Sequence, residues 1–298
     1  MRLLLAAVAA ILLPTPAFAD DHAMTEETPE LTFERVFASP SLNGSTPRQA
    51  KFSPDGKYLT LLRNRPDDLQ RYDLWGLDLE TEEWRMLVDS EAIGTGRELS
   101  EDEKMQRERS RVGGLSGIIT YQWASDASGV LVPLDGDLYF AKLDGTVTRL
   151  TDTEEGELNP TLSPRAGYVS FVRDRQLWVG KMGEEPAPIT PKEADTIRWG
   201  EAEFVAQEEM SRLTGYWWNG NETRLAVQRT DESPVGIVTR AAIGATGTTV
   251  YDQRYPVAGS DNAIVELFIK EEGKEKKNAL GASAHLLSGC CRNASPTE

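Results

Sequence analysis

The chain has 298 residues, with 48 acidic against 32 basic side chains and a formal net charge of −16. This balance argues against a nucleic-acid backbone as partner, because phosphate contacts need clustered Lys and Arg; it agrees with a cationic ligand and equally with solubility alone. The cysteines Cys290 and Cys291 and the histidines His22 and His285 have neither the number nor the spacing for a disulfide framework, a zinc site or a His-dependent catalytic centre in the body of the chain, so no metal or cofactor is expected.

Met1-Arg2, the apolar run Leu3 to Leu13, and Ala17-Phe18-Ala19 ahead of Asp20-Asp21 make a short positive start, an apolar stretch too short to span a bilayer and an A-x-A site. The pattern predicts a signal peptide over residues 1–19, cleaved after Ala19, and an exported, periplasmic product. No later segment is long and apolar enough to cross a membrane. Residues 20–47 read as a polar leader with one short helix, packing at the edge of the first domain.

A repeat then sets the fold. Gln49 to Ser53, a Ser53-Pro54-Asp55-Gly56 turn, Tyr58 to Leu62, Asp73 to Leu79 and Glu83 to Val88 form four short strands in a meander, one propeller blade. The order recurs from Thr120 through Val130–Val132, Asp137–Ala141 and Val147–Thr151. It recurs again from Pro160 through Tyr168–Val172, Gln176–Val179 and Pro188–Thr190, and a fourth copy starts at Gly215-Tyr216-Trp217-Trp218. The expectation is an all-β chain, an incomplete β-propeller of four to five four-stranded blades over residues 48–270, followed by a disordered tail over 271–298.

Two interruptions break the period, and loops on such scaffolds carry function. Asp89 to Gly114 holds a capping box at Ser100-Glu101-Asp102-Glu103 and a helix running on through Lys104 to Arg111, which reads as solvated. Lys192 to Arg212 holds the adjacent carboxylates Glu208-Glu209 among apolar residues, just ahead of the Trp pair. Such a pair is either a solvated feature of a helix or loop surface, or it converges and needs a cation; a protonated amine held by two carboxylates is the simplest version.

The blade repeats, Ala202 to Met210, Gly215-Tyr216-Trp217-Trp218, Asp231-Glu232-Ser233-Pro234-Val235 and Gln253-Arg254-Tyr255-Pro256 together resemble the N-terminal propeller of bacterial dipeptidyl peptidase IV, in the prolyl oligopeptidase group of serine peptidases. The likeness runs from about Phe33 to Lys270. It implies a following α/β-hydrolase domain carrying Ser, Asp and His, and release of dipeptides whose second residue is Pro or Ala. It also implies that Glu208 and Glu209 hold the free N-terminal amine of a peptide substrate. A propeller arginine that binds a substrate carbonyl is implied as well; Arg107, Arg109 and Arg111 are the candidates, and Arg107 is taken.

The chain departs from that family in one respect. It contains no G-x-S-x-G elbow, since Gly281-Ala282-Ser283-Ala284-His285 fails at its last position. The chain alone is therefore expected to be inactive, a truncated or frame-shifted piece lacking its hydrolase domain. The alternative is a non-enzymatic periplasmic propeller that binds a protein partner. An unclosed ring also exposes a strand edge, which predicts aggregation or a homodimer through it.

Overall fold

The computed structural model describes residues 31–38, 41–244 and 246–271. The expected signal peptide, both histidines, both cysteines and the tail beyond Glu271 lie outside the described residues. The chain divides into two units, residues 1–42 and 43–298. In the first, α1 (Phe33–Phe37) is a short helix whose N-cap Thr32 accepts a hydrogen bond from the Arg35 amide.

The second unit is a succession of antiparallel sheets. The first contains β1 (Arg48–Phe52), β2 (Tyr58–Asn64), β3 (Arg71–Asp78) and β4 (Trp84–Val88) in that order. The Ser53-to-Gly56 turn closes as the sequence demands: Ser53 Oγ accepts from the Lys57 and Tyr58 amides and Gly56 takes φ +72°. Helices α2 (Ser90–Ile93) and α3 (Glu101–Arg109) follow, and β5 (Ser116–Gly117) returns parallel to β3. The second sheet is β6 (Gln122–Trp123), β7 (Val130–Leu134), β8 (Asp137–Ala141) and β9 (Val147–Arg149). The third is β10 (Leu158–Leu162), β11 (Tyr168–Arg173), β12 (Gln176–Lys181) and β13 (Ala187–Pro188).

The fourth sheet corrects the sequence reading. Its first strand starts at β14 (Ile197–Trp199), breaks for α4 (Phe204–Glu209), and resumes as β15 (Tyr216–Trp218). Both halves pair with the same neighbour, β16 (Arg224–Asp231): Trp199 lies opposite Arg229, and Tyr216 opposite Val227. The Gly200 amide donates to Gln228 O and the Gln228 amide donates to Gly215 O, so β16 bridges the break. The fourth copy therefore begins at Ile197 rather than Gly215, and the excursion is only the loop between Gly200 and Gly215. Period counting missed this because the strand's hydrogen bonds are continuous while its sequence is not.

The hairpin of β17 (Ile237–Gly244) and β18 (Gly247–Arg254) stands as its own two-stranded sheet, and β19 (Ile264–Glu271) pairs with β16 along its full length. The sequence reading did not assign β19. Its apolar residues Val265, Leu267 and Ile269 fall at period two, and all are exposed.

Consecutive sheets share cores. On β7, Val130 and Val132 join the cluster of Leu62, Leu74 and Val88 against the first sheet, while Leu131 points the other way to Leu162 and Phe171 of the third. On β11, Phe171 faces the second sheet and Val172 faces Leu225 and Val227 of the fourth. Middle blades are buried on both faces, which is why their strands read as apolar runs rather than alternating ones. Each fully buried side chain of this kind contributes about 1.5–3 kcal/mol.

A second repeat lies in the joints. Bulges interrupt β1–β2 and β10–β11, with Gln49 and Asn159 in the left-handed region at φ +50° and +51°. A tyrosine from the start of the next sheet closes on each: Tyr121 OH reaches the carbonyls of Gln49 (2.6 Å) and Thr60 (2.9 Å), and Tyr216 OH those of Asn159 (2.5 Å) and Ser170 (3.0 Å). Two residues on, Trp123 Nε1 donates to Thr60 Oγ1 and Trp218 Nε1 to Ser170 Oγ. The Tyr-x-Trp pattern is thus an inter-blade clasp, repeated between the first and second sheets and between the third and fourth.

Candidate functional site

Helix α4 starts on Glu203, whose carboxylate accepts from the Val205 (2.6 Å) and Ala206 (2.8 Å) amides, a strong N-cap. It ends on the Glu208-Glu209 pair, at the negative end of the helix dipole, where carboxylates are disfavoured. The placement runs against local stability, and a nearby cation would offset it.

Arg109, at the last position of α3, supplies one. Its Nε lies 3.5 Å from Glu208 Oε1, its Nη1 donates to Gln207 Oε1 at 2.6 Å, and its guanidinium lies 5.1 Å from the Phe204 ring centroid. Burial works against the Arg109 charge, and Glu208 is the nearest opposing influence. The Gln207 amide is itself fixed, donating from Nε2 to Ala202 O, and Phe204 packs edge-on to Tyr255 at the foot of the hairpin. Four parts of the sequence meet here: α3, α4, the base of the split strand and the residue after β18.

The predicted residues separate on inspection. Glu208 is half-buried and paired; Glu209 is exposed and has no side-chain partner among the described residues. Arg107, the arginine taken from the sequence, donates instead to Leu115 O within its own loop, and Arg111 is exposed at φ +57°. Arg109 is the one brought to the Glu pair. A helix signal alone could not separate them, because all three sit in one charged run.

Helix α3 is not merely solvated. Its capping box forms as read: Ser100 Oγ accepts from the Glu103 amide and Glu103 Oε2 from the Ser100 amide. Glu103 is buried and paired with Arg97 at 3.2 Å, and Gln106 Nε2 donates to Asn159 Oδ1, so the helix sits on the same bulge that Tyr216 clasps. Sequence reasoning missed this dock, and also missed Arg198 of β14, whose guanidinium lies among Asp102, Glu201 and Glu232. Burial opposes the Arg198 charge, yet these carboxylates outweigh it and hold its pKa above the ordinary arginine range. Glu201 is buried, which pushes its pKa up.

Arg109 and Arg198 face Asp102, Glu201, Glu208 and Glu232, two cations against four carboxylates, and Glu209 stands exposed beside Glu208. The arrangement can hold a further cation. A cavity of about 340 Å³ at the other end of β15, lined by Gln122, Leu162, Trp217 and Trp218 among others, contains none of these groups. Among the described residues no helix is long and apolar enough to cross a membrane, and no cluster of three His, Cys, Asp or Glu is placed to hold a metal ion.

Comparison with known proteins follows the same lines. A crystal structure of Porphyromonas gingivalis dipeptidyl peptidase 4 superposes with a TM-score of 0.53 at 22% identity, over 75% of this chain and 31% of that one. Homo sapiens dipeptidyl peptidase 8 is 26% identical over 208 residues, 59% of this chain and 23% of the relative. The probable dipeptidyl-aminopeptidase B of Emericella nidulans is 30% identical over 119 residues, 35% of this chain and 13% of its own length. The chain thus spans a quarter or less of the length of these curated relatives. The family described as Dipeptidyl peptidase IV (DPP IV) N-terminal region matches residues 117–286, more than half of the chain, and the chain belongs to that family.

Proposed function

We propose that this chain is the substrate-selecting portion of an exported dipeptidyl peptidase IV-like serine exopeptidase, and that Glu208 and Glu209 anchor the protonated N-terminal amine of a peptide. The observation that carries the reading is the Arg109–Glu208 contact beside an exposed Glu209 that has no side-chain partner among the described residues. Arg109 offsets one of the two carboxylates, which leaves the pair one net negative charge, matched to one ammonium. An acylated N-terminus brings no charge and loses those charge-assisted hydrogen bonds, so the pair discriminates by partner chemistry. Beyond Glu208, the Arg109 guanidinium is also the group suited to a substrate carbonyl, a role that the sequence reading gave to Arg107.

On this reading a hydrolase domain completes the enzyme and removes dipeptides bearing Pro or Ala second, and a homodimer and periplasmic location belong to the same proposal. The test is calorimetric titration of the chain with Ala-Pro-Ala and with its N-acetyl analogue. Binding of the free amine only, abolished in Glu208→Gln, is expected. Equal affinity for the two peptides would overturn the amine anchor.

A further inference from the structure

We infer that Arg198 is a positioning residue, the tie that holds α3 against the split strand so that Arg109 meets Glu208; the inference rests on the amine-anchor reading. Arg198 is the central residue of β14, just before the excursion that carries the Glu pair, and its side chain is 18% exposed. Its Nε lies 3.3 Å from Glu232 Oε2, its Nη1 3.5 Å from Glu201 Oε1, and its Nη2 3.5 Å from Asp102 Oδ1. These three carboxylates come from three segments: the turn leading to the hairpin, the base of the excursion, and the first turn of α3. Only a planar fork with several donors addresses three such groups at once.

The consequence for the site follows from helix geometry. Asp102 and Arg109 stand seven residues apart on α3, two turns along one face. Arg198 grips one end of that face, and Glu208 and Gln207 grip the other. Without Arg198, Asp102 and Glu232 lose their shared partner and the Glu201 carboxyl, 5% exposed, is left buried without its cation. Loss of these three ties loosens the seam at the start of α3 and draws Arg109 off Glu208. Arg198 touches no ligand group in this arrangement; it acts through the position of another arginine.

The experiment compares the full chain with Arg198→Met, Arg198→Lys and Asp102→Asn. The two readouts are the affinity ratio for Ala-Pro-Ala over its N-acetyl analogue, and amide hydrogen exchange across residues 101–109. In Arg198→Met the ratio is expected to fall roughly tenfold, with exchange in α3 accelerated and exchange in β7 and β11 unchanged. Arg198→Lys keeps the charge without the fork and should recover part of the ratio. Asp102→Asn, which cuts only the α3 arm, should shift both readouts the same way by a smaller factor, and it decides the question if Arg198→Met does not fold.

An unchanged ratio and unchanged α3 exchange in these variants would overturn the inference. If the unaltered chain shows no preference for the free amine, the anchor reading fails, and the exchange arm then decides Arg198 alone. Acceleration confined to α3 supports the tie, and its absence refutes it.

Discussion

Arg109 and Glu208 meet across 3.5 Å although they belong to insertions of different blades, one on α3 and the other at the end of α4. Their side chains are 14% and 25% exposed, so the contact is neither a screened surface pair nor a dry one. Replacing Arg109 by Met leaves Glu208 at the wrong end of a helix dipole without its cation and strips the Gln207 amide oxygen of its donor. The expected loss is about 1–2 kcal/mol. Calorimetric unfolding should show a melting point lower by roughly 3–6 °C.

Glu209 should behave in the opposite way. It is exposed, has no partner among the described residues, and also lies at the helix C-terminus. Glu209→Gln is therefore expected to leave the melting point within about 1 °C or raise it slightly, while weakening binding of a free-amine peptide. A marked destabilisation would assign Glu209 a structural role that its exposure does not show.

The Tyr-x-Trp clasps predict an alkaline limit. Burial pushes the hydroxyls of Tyr121 and Tyr216 up to about 12 from an ordinary 10.0. Both pKa values are raised in the folded state, so their contribution is fully present below pH 10.0 and is lost as pH rises through about 12. Denaturant titrations across that window should show stability falling with pH. Tyr216→Phe should flatten part of the fall and cost about 1–3 kcal/mol at neutral pH, through the stranded Asn159 carbonyl.

Glu222 predicts the acid limit. From the β15–β16 turn its Oε1 accepts from Ser163 Oγ and from the Arg165 and Gly167 amides, capping the turn of the preceding blade. Burial acts to raise its pKa, but the Ser163 hydroxyl and the two amides prevail and hold it below the ordinary carboxylate range. A depressed pKa gives stability that is present above the unfolded value and lost as pH falls through the folded one. Glu222→Gln should remove that part of the acid sensitivity and lower the melting point at pH 7 by a few degrees, measured by circular dichroism at pH 3–7.

Within the described residues, the strand meander, its tight turns and the α3 capping box were legible in the sequence, because each depends on residues within one or two turns of one another. Pro and Gly fix the Ser53–Gly56 turn, and Ser100 with Glu103 fixes a helix start, whatever lies beyond. The Glu pair was legible as an oddity for the same reason. What the sequence could not determine was every relation between segments: that Ile197–Trp199 and Tyr216–Trp218 are one strand, that β19 completes the pairing of β16, and that Arg109 rather than Arg107 faces Glu208. Those choices were left to the tertiary structure. Three arginines at alternate positions of one charged run are equivalent in local propensity, and only the docking of α3 on Asn159, with the ties from Arg198, selects the face that meets α4.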